Sequence, residues 1–314
     1  MRFKFVVLQI LFLSLNYVNG QAKRDTVVAQ KGDGIFSILR NSGIDPVKYY
    51  EEFYKLNEKN IRNGSELIIG KNYLLPEAPD SFKKMGSKIA VSTSKTQPIF
   101  DQELPAMKMK DSTLKNTVYY LMYAPDASGS RNAASASFMT RLAKELLVRS
   151  AKVYILEGNF LPSQSENIER DKTLVASKLG DYVGIINKKY LMNNGAYQRV
   201  IVFRDYNSNE KGYALNAMYY DTSTEGQMIA VSLQDIFSKN IVGGAAIKNK
   251  ISTFKDATSI FLAKNVLPPI AVVSMNNGKE VMAKDVQVKS EKPYLAKIIT
   301  DGILNDYSNT TFND

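Results

Sequence analysis

Histidine and cysteine are both absent from the 314 residues of this chain. Without cysteine there is no disulfide, no thiolate nucleophile, no thiolate metal site and no lipid-modified N-terminal cysteine, so any folded part is held by core packing alone. Without histidine a serine–histidine triad is impossible, and a borderline metal such as zinc would have to rely on oxygen ligands. Long apolar runs are scarce as well: the stretch from Phe5 to about Leu15 is shorter than the roughly 18 residues of a membrane span.

That stretch follows Arg2 and Lys4 and precedes the small residues Gly20 and Ala22, so residues 1–22 read as a secretory signal peptide. No transmembrane segment is then expected in the mature chain. Positive charge is in excess, with a formal net charge of +10. Such a balance suits an anionic wall polymer, a membrane surface or nucleic acid without choosing among them. No nucleic-acid recognition motif accompanies the charge, and nucleic acid is not expected as a partner. The length favours two folded units, and a hydrophobic content of 44% suffices for ordinary cores.

From Asp25 to Pro76 the pattern is strand, helix, helix, strand. Thr26 to Gln30 is β-rich, Lys31-Gly32-Asp33-Gly34 is a turn, and Ile35, Ile38 and Leu39 fall on one helical face. Asp45-Pro46 opens a second helix, since Asp caps and Pro suits the first helical position. Its apolar face takes in Tyr49, Phe53 and Leu56, and Asn57 and Gly64 close it. The strings VVAQKGDGIFSIL, KLNEKN and LIIGKNYLLP resemble the opening, middle and close of a LysM domain over residues 25–76. The resemblance implies binding of peptidoglycan glycan strands through a shallow groove. Gly32, Asp33, Gly34, Asn57 and Asn60 are its candidate residues, because a glycine turn frees backbone amides and lets a sugar approach closely.

Residues 77–116 are rich in Lys, Ser, Thr and Pro and read as a linker whose later part packs against the next domain. The second domain, 117–314, opens with TVYYLMY, Thr117 to Tyr123, an apolar run typical of a strand buried on both faces. Helical stripes over Phe138 to Val148, Glu169 to Tyr190, Gly226 to Phe237 and Pro293 to Tyr307 alternate with strand runs at Lys152 to Leu156, Val200 to Phe203, Ala214 to Tyr220 and Ile270 to Val273. The expected fold class is therefore α/β: a small βααβ domain followed by a mainly parallel sheet covered by helices. In such a sheet a site lies at the carboxyl ends of the strands.

The runs VYYLMYAPDASGS, RLAKELLVRSAKVYIL, ERDKTLVASKLGDYVGIIN, YQRVIVFRD and FLAKNVLPPIAVVSMNNG, in this order, resemble a zinc-dependent N-acetylmuramoyl-L-alanine amidase domain, especially the version that follows a LysM domain in Bacteroidetes. That family implies two His and one Glu on zinc and a second Glu as general base. Here Pro125, or Ala124 after a one-residue slip, stands where the first His belongs, and Arg131 lies at the start of the first helix, which offers no carboxylate. Arg204 replaces the second His and Ser274 the base. Asp126 and Asp205 adjoin these positions, and could pair with Arg204 or hold a hard cation. The expectation from the resemblance is an exported pseudoenzyme of the periplasm or cell envelope, not an enzyme, with no cofactor and no metal. Its expected partners are peptidoglycan glycan strands and another cell-wall protein. An active hydrolase with an atypical site and a protein-interaction scaffold are the alternatives.

Overall fold

A computed structural model of the chain describes residues 24–124, 133–158, 168–204, 213–240, 251–276, 286–288 and 292–311. The leader over residues 1–22 and the positions Pro125, Asp126, Arg131 and Asp205 lie outside the described residues. The chain divides between Ala78 and Pro79 into two compact units.

In the smaller unit the order is Thr26–Val28 (β1), Ile35–Asn41 (α1), Pro46–Asn57 (α2), the hairpin strands Ile61–Arg62 (β2) and Glu66–Leu67 (β3), and Asn72–Leu74 (β4), which returns antiparallel to β1. The turn into α1 needs glycine, because Gly32 has a φ of +92°, a region that side chains with a Cβ avoid. The Asp33 carboxylate fixes that turn, accepting from the Gln30 amide at 2.8 Å and from the Ser37 hydroxyl at 3.3 Å. Asp45 starts α2 by accepting from the amides of Val47 at 2.9 Å and Lys48 at 3.3 Å. The two helical stripes meet over Tyr73 of β4. Phe53 is fully buried there, 6.1 Å from the Tyr73 ring, and burial of such a side chain contributes roughly 2–3 kcal/mol.

The larger unit runs Phe82–Met85 (α3), Gly86–Ala90 (β5), Lys95–Pro98 (β6), Thr117–Tyr123 (β7), Ala133–Leu147 (α4), Lys152–Glu157 (β8), Ile168–Met192 (α5), Tyr197–Arg204 (β9), Tyr213–Tyr219 (β10), Thr224–Lys239 (α6), Ser252–Thr253 (β11), Ala257–Asn265 (α7), Ile270–Asn276 (β12), Val286–Val288 (β13) and Lys292–Thr311 (α8). One nine-stranded sheet holds these strands in the order β11-β10-β12-β9-β7-β8-β5-β6, with β13 also on β10. From β5 to β12 across the middle, neighbours are parallel; β6 is antiparallel to β5, and β10 is antiparallel to β12 and β13 but parallel to β11. The mainly parallel α/β sheet expected from the alternation of elements is therefore present. Its central strands are buried on both faces, as helices on both sides require. Tyr119, Leu121, Ile201 and Phe203 face α4, α6 and α8, while Tyr120, Met122, Val200 and Val202 face α5 and α7.

The linker reading of residues 77–116 is corrected. That segment supplies β5, which lies parallel on β8, and the edge strand β6. Only Gly86 and Ile89 of β5 are buried, so no continuous apolar run announces the strand. At Gly86 the absent side chain makes room for Leu147, whose Cδ1 would lie 2.7 Å from an added Cβ. Edge strand β6 is mostly exposed, and its Lys, Thr and Gln are typical of an edge.

Candidate functional site

The parallel strands end together. Tyr123 of β7 is in register with Phe203 of β9, and the Ala124 amide donates to the Phe203 carbonyl at 2.8 Å. One step further along, Arg204 is in register with Ser274 of β12, and Ser274 with Asn216 of β10. These three side chains share the face that carries Val202, Val272 and Met218 one repeat below them. A strip of polar groups thus caps the apolar layer at the carboxyl ends of β9 and β12 and beside the middle of the antiparallel β10.

Arg204 is committed to a partner that sequence reasoning missed. Its Nη2 donates to the Asp256 carboxylate and, at 2.7 Å, to the Ser259 hydroxyl. Asp256 in turn caps α7, accepting from the Ser259 amide at 2.8 Å. Burial works to raise the Asp256 carboxyl, but the bonds from Arg204 and Ser259 outweigh it and hold the group below its ordinary range. Arg204 therefore ties the end of β9 to the start of α7. The Asp-Ala-Thr-Ser start of α7 is a capping signal legible in the sequence; that it lands on Arg204 is not.

Other atoms in the strip lack such commitments. Arg204 Nε and Asn216 Oδ1 are buried with no hydrogen-bond partner among the described residues, and Asn216 Nδ2 reaches only the Ser252 hydroxyl, at 3.4 Å. Ser274 is half-buried between them. No group of three or more acidic, histidine or cysteine side chains able to hold a metal occurs among the described residues. The described donors at these strand ends do not fit zinc: they offer a guanidinium, a hydroxyl and an amide, and a fixed positive charge repels a cation.

A second arginine of β9 makes a different cluster on the opposite face. Arg199 Nε lies 3.3 Å from Asp306 Oδ2 of α8, Nη1 lies 3.8 Å from Glu225 of α6, and the guanidinium stacks 4.0 Å from the Tyr197 ring centroid. The Tyr197 hydroxyl donates to the same Asp306 oxygen. Arg199 and Asp306 are 3% and 1% exposed. Burial dominates at Asp306 and pushes its carboxyl up despite Arg199 and Tyr197. So enclosed a cluster ties α8 to the sheet, although Arg199 Nη2 and Asp306 Oδ1 have no hydrogen-bond partner among the described residues.

In the smaller unit the expected glycan residues separate. Asn57 is 3% exposed, and its side chain is spent internally: Nδ2 donates to the carbonyls of Phe53 and Leu74, and Oδ1 accepts from the Leu74 amide, each at 2.8 Å. It buckles α2 to β4 and leaves the glycan set. Gly32 and Gly34 have open space where a Cβ would stand. Asn60 lends its carbonyl to the Tyr73 hydroxyl at 3.0 Å, and Asp33 holds the turn.

No protein-family model and no curated protein matches the chain. Among solved structures it is similar to the catalytic domain of the CD27L endolysin targeting Clostridia difficile, at 17% identity and a TM-score of 0.39, covering 60% of this chain and 97% of that one. It is also similar to the N-acetylmuramyl-L-alanine amidase Ami1 from Mycobacterium smegmatis, at 12% identity and 0.35, covering 62% and 99%. A third is the N-acetylmuramoyl-L-alanine amidase from Clostridium difficile 630, at 12% and 0.35, covering 60% and 96%. These findings correct the expectation that the larger unit is not an enzyme. The structures it resembles are those of enzymes, and the lack of a metal cluster is a statement about the described residues, with Pro125, Asp126, Arg131 and Asp205 outside them.

Proposed function

We propose that the protein is an exported peptidoglycan-binding protein of the periplasm or cell envelope. The LysM-like smaller unit takes the glycan strand, and the amidase-like larger unit faces the peptide stems. The observation that carries this reading is the smaller unit itself. The motif resemblance of residues 25–76 coincides with a strand–helix–helix–strand unit whose Gly32-Asp33-Gly34 turn is open, with nothing within 4 Å of where a Cβ of either glycine would sit. A sugar ring can therefore approach the backbone there, with Asp33 and Asn60 as the candidate polar side chains for further hydrogen bonds. The excess of basic over acidic residues, +10 over the full sequence including Arg2 and Lys4 of the leader, adds attraction to the carboxylates of a wall polymer.

The test is co-sedimentation of the exported form with insoluble peptidoglycan. Pelleting that disappears when residues 25–76 are deleted is the expected result. A full chain that stays in the supernatant, or a deletion variant that pellets equally well, would end this reading. Release of stem peptides, measured in the same tubes with and without a chelator, reports whether the bound polymer is also cut.

A further inference from the structure

We infer that the rim at the amino ends of the parallel strands, on the α5 side of the larger unit, is a contact site for an anionic phospholipid surface. The segments that lead into three strands meet there. The Asn116 side chain, just before β7, donates to the Gly195 carbonyl, just before β9, at 3.2 Å. The Val200 amide of β9 donates to the Pro269 carbonyl, just before β12, at 2.9 Å. Asn187 of α5 joins the same rim, donating to the Asn265 carbonyl and accepting from the Leu267 amide, each at 2.8 Å. One turn beyond Asn187, on the same side of the helix, comes Leu191. Leu191, Met192 and Leu267 are 66%, 66% and 53% exposed, more than any other large apolar side chain described in the larger unit. Singly, such side chains need no explanation; three of them on one rim mark a contact surface.

Charge identifies the partner. The segments that run through the rim, 112–124, 150–156, 182–198 and 257–270, contain five lysines and no acidic residue. Lys115, Lys188 and Lys264 are exposed, whereas Lys152 is held by Asn193 Oδ1 at 3.0 Å and Lys189 lies 5.3 Å from the Tyr154 ring centroid. The acid nearest to Leu191 along α5 is Asp181, ten residues earlier. That is about 15 Å along the axis, beyond the screening length of about 8 Å at physiological salt. Aliphatic tips among lysines suit a phospholipid interface: the tips enter the acyl boundary, and the lysine stems keep their ammonium groups among the phosphates. A protein partner fits less well, because interfaces between proteins are depleted in lysine. A wall glycan also fits less well, since it offers no aliphatic phase to Leu and Met. The inference does not rest on the peptidoglycan reading.

Vesicle co-sedimentation of the exported form, which lacks the apolar leader, tests this. The probes are vesicles of phosphatidylcholine mixed with phosphatidylglycerol and vesicles of phosphatidylcholine alone. The parent should pellet with the first far more than with the second, and added salt should release it. The double substitution Leu191→Ser with Met192→Ser leaves the charge unchanged and should lower the partition constant by about tenfold or more. Lys188→Gln and Lys264→Gln should each lower it by about fivefold. All four side chains are exposed, and an unchanged unfolding midpoint shows that each variant is folded. The inference is overturned where the parent stays out of the anionic pellet, pellets equally with neutral vesicles, or pellets as well without the two apolar side chains, as a merely basic protein would. A dimer that the double substitution dissociates, with no vesicle binding, would also overturn it and give the rim to a second copy of the chain. Peptidoglycan pelleting of the double variant should equal that of the parent; an equal loss of both kinds of pelleting would overturn the lipid assignment in favour of the wall polymer.

Discussion

Arg199 and Arg204 lie on one strand, and each reaches an aspartate at a helix, yet the two aspartates move in opposite directions. Asp306 is pushed up by burial, which Arg199 and Tyr197 do not offset. At Asp256, bonds from Arg204 and Ser259 win and hold the carboxyl down. Exposure separates them: the side chains of Arg199 and Asp306 are 4% and 2% exposed, those of Arg204 and Asp256 20% and 35%. The same pair of residue types is thus a closed lock at one end of β9 and a water-reached tether at the other.

The largest effect that would separate the two clusters is expected from Asp306→Asn. It leaves Arg199 buried without its aspartate and should cost about 3–5 kcal/mol in chemical denaturation; a loss below about 1 kcal/mol would show that the cluster is wetter than its burial implies. Asp256→Ala removes a helix cap and a partly exposed ion pair, and about 1–2 kcal/mol is expected in the same assay. Ser259→Ala takes away a single neutral donor–acceptor group beside Arg204 and should cost about 0.5–1.5 kcal/mol.

The sharpest contrast is in pH dependence, although its energy is the smallest. Because Asp256 sits below the ordinary carboxylate value of 3.8, its stabilisation is present above that value and is lost as pH falls through the lowered folded value. Asp306 sits above 3.8, so its contribution is full below that value and declines as pH rises through the raised one. Stability differences between the parent and Asp256→Asn should therefore grow with pH below 3.8, and those for Asp306→Asn should shrink with pH above it. Two difference curves of the same slope would remove the distinction.

The centre of the larger unit was legible in the sequence because β7 and the Val200–Phe203 part of β9 are apolar runs, as strands covered on both faces favour. Strands β5, β6, β11 and β13 were not, since short or edge strands with half-exposed side chains carry neither a run nor a sustained alternation. Arg204 and Ser274 were found from their positions at strand ends. Asp256 lies 52 residues from the arginine it holds, and Asn216 is on a strand whose partner in register is 58 residues further along; such meetings are made by topology. Asn57 shows the same limit at closer range. Its composition suits a sugar-binding loop, but strand β4, 17 residues on, claims both ends of its amide.

Both margins of the nine-stranded sheet are poor templates for another chain. On one side lies β6, four residues of which three are exposed and the last is Pro98. On the other, β10 is covered in two pieces: β13 pairs with Tyr213 to Leu215, and β11 with Met218 and Tyr219. Among the described residues, a neighbouring molecule would find no long, flat row of free amides on which to add a strand. For a chain without disulfides, this geometry guards against edge-to-edge polymerisation at high concentration, a form of colloidal resistance that core packing alone does not provide.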